Sequence, residues 1–192
     1  MTEEIDIQTL IEETTTVLGA TNQTYVEMLK MFQQKKQLIV SNRLLQGQLV
    51  FFRYNPLTIP TTSNKYYDSF PLVLITETFK GGFEGINFHY IHPTFRGFLF
   101  DLILQSIPTL KNAQEWKSRL ALEYKKLKSN RKLKFFKPCY KRYLWKGMQK
   151  RPVMIPFDLW KELSEAEIGT FVGARRTTVY RDSYHKAIKK GT

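Results

Sequence analysis

His89 and His92 stand three apart in HYIHP, and Asp68, Glu77, Glu84 and Asp101 are spread through the same region. On a strand, residues three apart face opposite sides, which is poor geometry for one metal ion. His185 is the remaining histidine, so a zinc-type shell would have to borrow Asp68 or Asp101. A nuclease needs carboxylates clustered around Mg²⁺, often with a lysine beside them. Glu77 and Lys80 are three apart, not the two that would put them on one face of a strand. Cys139, the single cysteine, lies among lysines that favour a thiolate, but no base stands at a recognisable spacing. Packing is its expected role. The glycines of KGGFEG lack the Lys-Ser/Thr end of a phosphate loop and read as a β-turn. The residues therefore predict no catalytic group, no metal site and no cofactor, and a protein that is not an enzyme.

The other residues that could do chemistry are bases. Residues 126–151, KLKSNRKLKFFKPCYKRYLWKGMQKR, hold eleven Lys or Arg, five aromatics and no acid. By segment, the net charge is −3 for 1–40, +1 for 41–110, +13 for 111–151 and +2 for 152–192, so one block equals the total of +13. Unbalanced bases repel one another unless a polyanion or an acidic surface neutralises them. Phosphates take cations, and unstacked bases take flat rings. The candidate contact residues are Lys125, Lys126, Lys128, Arg131, Lys132, Lys134, Lys137, Lys141, Arg142, Lys146, Lys150 and Arg151 for charge. Phe135 and Tyr140 are the candidate stacking rings. Phe136, Tyr143, Leu144 and Trp145 are expected in the core. The expected partner is nucleic acid, DNA above all, or an acidic protein surface.

The elements that would position these residues follow from periodicity. Residues 3–18 read as a helix ending near Gly19, and a second helix starts near Thr21 and runs into KKQLIV, whose type is ambiguous. Residues 46–91 read as β: QLVFFRY, then FPLVLITETF, a turn at Lys80-Gly81-Gly82, and GINFHYI. Asp68, ahead of Phe70-Pro71, suits an Asx-type turn, and Asn87 with His89 is expected to brace the Pro56–Asp68 loop. Pro93 starts a helix whose Phe95, Phe98, Leu99, Leu102 and Ile103 are expected to cover the sheet. A further helix is expected over 112–129, a short helix in CYKRYLWKGM, an extended segment in RPVMIPFDLW, a helix in DLWKELSEAE and a partly helical tail from Thr177. The fold class is α+β: a small antiparallel, SH3-like β core at about 46–91, flanked by helices. Its parts are a helical arm over 1–40, the β core with its covering helix over 41–110, and a basic helical region over 111–192 packed on that core.

No run reaches the length of a membrane span, and the acidic start MTEEIDIQTL lacks the basic region of a signal peptide. With one cysteine, no intrachain disulfide forms, which suits a reducing setting.

Over about residues 47–160 the chain resembles small basic structural or DNA-associated proteins of tailed bacteriophages. The resemblance is carried by Tyr54 to Pro56, the YYDSFPLV run from Tyr66 to Val73, the Gly-x-Asn-x-His-Tyr run from Gly85 to Tyr90, and Arg96. It implies a virion protein made in the host cytoplasm, with no catalytic residues to carry over. The expectation is a structural or assembly protein of the particle whose basic block meets DNA or an acidic neighbouring subunit, with the N-terminal helices binding other virion proteins. A dedicated DNA-binding or DNA-end-capping protein is the alternative, and a metal-dependent nuclease the enzyme class that the charge leaves open.

Overall fold

The computed structural model describes residues 39–40, 44–56, 66–105, 136–149, 151–160 and 171–189. The expected helices over 3–18, from Thr21 and over 112–129 lie outside them, as does most of the 1–40 arm. The strands are β1 (Ile39–Val40), β2 (Leu49–Phe51), β3 (Tyr67–Asp68), β4 (Leu72–Phe79), β5 (Gly82–Asn87), β6 (Tyr140–Leu144), β7 (Val153–Ile155) and β8 (Phe171–Val172). The helices are α1 (Pro93–Gln105) and α2 (Arg176–Lys189). Six strands form an antiparallel sheet in the order β1-β7-β2-β4-β5-β6, and β3 pairs with β8 separately. The chain is thus mixed α+β.

The apolar runs LVFF and PLVLI have no polar alternation because both sides of the sheet are covered. On one side Leu49, Phe51, Leu72, Leu74 and Ile86 meet Leu99 and Phe100 of α1, Val179 of α2 and Trp160. On the other, Val50, Phe52, Tyr54, Val73, Ile75, Phe83 and Tyr143 form a ring-rich cluster. Tyr143 is its hub: its ring meets Phe52 edge-on at 5.2 Å and Tyr54 at 5.0 Å, and stacks on Phe83 at 5.2 Å. Register shifts between Ile75 and Glu77, and beyond this bulge β4 passes from buried to exposed. Gly85 lets β4 and β5 lie close, since a Cβ there would sit 2.5 Å from the Leu74 carbonyl oxygen.

Four sequence expectations are corrected. GINFHYI is not one strand: β5 begins at Gly82 and ends at Asn87, and Phe88–Tyr90 wind into a 3-10 turn. The Asn87 side chain accepts from the His89 N–H at 2.9 Å and ends the ladder. CYKRYLWKGM is not a helix. Tyr140–Leu144 pair along β5 from Ile86 to Gly82, and a 3-10 turn over Trp145–Gly147 follows. Cross-strand pairing here overrides any helical tendency of a short basic run. Tyr140–Leu144, in a run expected to be helical, is thus β6 of the main sheet, whereas β7 falls in the RPVMIPFDLW segment expected to be extended.

The third correction concerns α1. Phe95 and Phe98 do not cover the sheet, being 46% and 57% exposed, whereas Arg96, Leu99 and Phe100 are buried. Arg96 turns the helix. Its Nε donates to the Ile91 carbonyl at 2.9 Å and its Nη2 to the Tyr180 hydroxyl at 2.9 Å, tying α1 to the preceding turn and to α2. Positions three and four beyond a buried arginine then face inward. Fourth, Leu144 and Trp145, expected in the core, are exposed, while Phe136 and Tyr143 are buried as expected.

The Asn55 N–H donates to the Gly147 carbonyl at 2.9 Å, that of Gln149 to Arg53 at 3.1 Å, and Tyr54 bridges Met148. The chain leaving β6, at one edge of the sheet, is thereby tied back to the extension of β2.

Candidate nucleic-acid interface

Eight of the predicted contact residues, Lys125, Lys126, Lys128, Arg131, Lys132, Lys134, Phe135 and Lys150, lie outside the described residues. The rest gather on β6 and its flanks. Lys137 is exposed in a 3-10 turn over 136–139, Arg142 is exposed on β6, Lys146 in the turn that follows it, and Arg151 just before β7. Arg142 lies over the Phe79 ring at 4.2 Å, so its charge is held against the sheet and not free to sweep solvent. Lys141 is half-buried, its Nζ 3.9 Å from the centroid of the Tyr90 ring. Burial lowers the pKa of this amine to about 8, with the neighbouring Lys186 adding to the fall and Cys139 and Asp68 opposing it.

Tyr140 does not serve as a stacking ring. It is part-buried against the core, and its hydroxyl oxygen is shielded from solvent. Burial raises its pKa. Cys139 is not activated by the lysines around it either. The thiol is buried, and desolvation pushes its pKa up to about 12, outweighing the attraction of Lys141 and Arg96.

The polar residues of the YYDSFPLV and Gly-x-Asn-x-His-Tyr runs meet inside the protein. Asp68 Oδ1 accepts from the Phe70 N–H at 3.2 Å, closing the Asx turn. Its Oδ2 accepts from Asn87 Nδ2 at 2.9 Å and contacts His89 Nδ1 at 2.7 Å. Asn87 Nδ2 also donates to the Tyr143 hydroxyl at 2.9 Å. An ionised carboxylate can only accept, so the ring hydrogen of this contact lies on His89 Nδ1. Nε2 is buried without a hydrogen-bond partner among the described residues. The expected bracing by Asn87 and His89 is present at Asp68 itself. An Asp-His pair can serve as a general base, but here both side chains are essentially inaccessible, at 1% and 0% exposure. Among the described residues no group of His, Cys, Asp or Glu could hold a metal ion, and no helix is long and apolar enough to cross a membrane.

Sequence reasoning missed one feature altogether. A cleft of about 40 Å³ opens between α1 and α2. Tyr90, Phe136 and Cys139 form its inner wall, with His92, Phe95 and Tyr184 also lining it. Phe95 is 46% and Tyr184 49% exposed. The signal was present in Phe95 standing one residue before Arg96, since burial of that arginine turns the ring outward. No family model, no curated protein and no solved structure matches the chain.

Proposed function

We propose that this chain is a non-enzymatic structural or assembly protein of a bacteriophage particle, and that its basic edge strand contacts DNA. One observation carries the DNA contact. β6 and its flanks hold Lys137, Arg142, Lys146 and Arg151 at the surface, while the rings interleaved with them, Phe136 and Tyr143, are buried. The block is therefore a charged ridge anchored by its own aromatics, suited to phosphates more than to base edges. The particle setting draws on the resemblance of the Tyr66–Val73 and Gly85–Tyr90 runs. Asp68, Asn87 and His89 bond to one another, so the shared pattern reads as a fold signature, in keeping with a protein that assembles and does not catalyse.

The fold reading is an SH3-like barrel. The order β7-β2-β4-β5-β6, the 3-10 turn between β6 and β7, and the tie from Met148 to Tyr54 support it. An acidic neighbouring subunit is the second partner that the same ridge fits.

Anisotropy titrations of the full chain with labelled duplex DNA across a range of salt test the proposal. Binding should weaken steeply as salt rises, and changing Lys137, Arg142 and Lys146 to Glu should reduce the salt slope by roughly 3. Absence of binding at low salt would assign the ridge to an acidic protein surface.

A further inference from the structure

We infer that the cleft between α1 and α2 is a stacking site for an unpaired DNA base, so that the protein holds single-stranded or frayed ends in addition to duplex. The inference rests on the DNA-contact reading above and adds a second locus to it.

Phe95 and Tyr184, from different helices, line one cleft and are each about half exposed. Phe98, on the same helix as Phe95, is 57% exposed. A side chain that contributes only to the core does not leave half of a ring in water. The cleft's inner wall is apolar, with Tyr90, Phe136 and Cys139 buried. A cavity of about 40 Å³ admits the edge of a ring and not a whole nucleobase, so a base would stack on the rings at the mouth.

The charge around the cleft favours a nucleotide over an apolar side chain. Lys141 holds its ammonium over the Tyr90 ring, and Lys186 on α2 is close enough to act on it electrostatically. Lys137 is exposed between two residues of the inner wall, Phe136 and Cys139. Asp182, the acid on this part of α2, does not line the cleft, and its Oδ1 lies 3.9 Å from Arg181 Nε. Rings flanked by cations are the combination that single-strand binders use, with bases on the aromatic faces and phosphates on the lysines. Duplex DNA keeps its base faces inside the stack, so only an unpaired base reaches such rings.

The test compares the full chain with a variant carrying Phe95→Ala and Tyr184→Ala, using oligothymidine and a blunt duplex as separate probes. Both substitutions remove exposed rings, and thermal melting checks that the fold survives. The expected result is a loss of about tenfold or more in affinity for oligothymidine, with duplex affinity changed less than about twofold. A Tyr184→Phe variant should keep wild-type affinity, and 2-aminopurine in the single strand should be quenched by wild type but not by the double variant. Equal losses for both probes, or an unchanged single-strand affinity, would overturn the stacking site while leaving the ridge proposal standing. Wild-type protein that binds neither probe would overturn both.

Discussion

Asp68 shows how one side chain can fix a local structure. Its two oxygens take the Phe70 N–H, the Asn87 amide and the His89 ring, all inside the protein. Removing it leaves three buried donors without their acceptor, and a buried donor left unpaired costs about 1–3 kcal/mol. Asp68→Ala should therefore lower unfolding stability by about 3 kcal/mol or more, read from urea midpoints at constant slope. A loss under about 1 kcal/mol would mean that water replaces the carboxylate and that the network is less closed than its burial implies. The sequence made part of this legible: the Asx turn followed from Asp68 preceding Phe70-Pro71, and bracing by Asn87 and His89 from their polarity among apolar neighbours. The Tyr143 hydroxyl could not be foreseen, because it joins the network from more than fifty positions away by a pairing that no local pattern records.

At the scale of elements, the reading succeeded where period and punctuation agreed. LVF and LVLITETF became strands, Pro93 began a helix, and VMI before Pro156 was extended. It failed where a tertiary partner overrode local preference. The basic run YKRYL is a strand because β5 offers it a ladder, and α1 presents an unexpected face because Arg96 is bonded inside. The β4–β5 pair also depends on a residue whose role no period shows. A Cβ at Gly85 would come within 2.4 Å of Val73 Cγ1 and 2.5 Å of the Leu74 carbonyl oxygen. Backbone cannot step aside as a flexible side chain can. Gly85→Ala should cost about 1–3 kcal/mol as an overpacked core site does, with circular dichroism retaining its strand signal. A melting temperature equal to wild type would show that the two strands can separate locally at no cost.

For the whole molecule, charge is the dominant feature. The net of +13 is concentrated in 111–151, and the sequence gives that much without any fold. What it does not give is which side of the folded chain the charge occupies. For the described bases Lys137, Arg142, Lys146 and Arg151, that is decided by β6 lying at the edge of the sheet and burying Tyr143. Self-repulsion of this size opposes the compact state, and added salt screens it. The melting temperature should therefore rise with sodium chloride by about 2–4 °C for each kcal/mol of repulsion removed. The ridge variant carrying Lys137, Arg142 and Lys146 as Glu should show a smaller rise. A melting point that falls with salt would place attractive ion pairs, not repulsion, in control.

The position of β7 governs how the chain can reach this state. Leu49 takes one partner from Leu74 and the other from Ile155, on the order of a hundred residues later. During synthesis β2 must wait beside β4 with its other edge open until the ribosome has released the segment that closes it. LVFF is apolar and uncharged, the kind of exposed edge that invites pairing with another nascent chain. A chain cut short before Val153 would leave that edge unclosed for good, so such a product is expected in aggregates or in the hold of a chaperone.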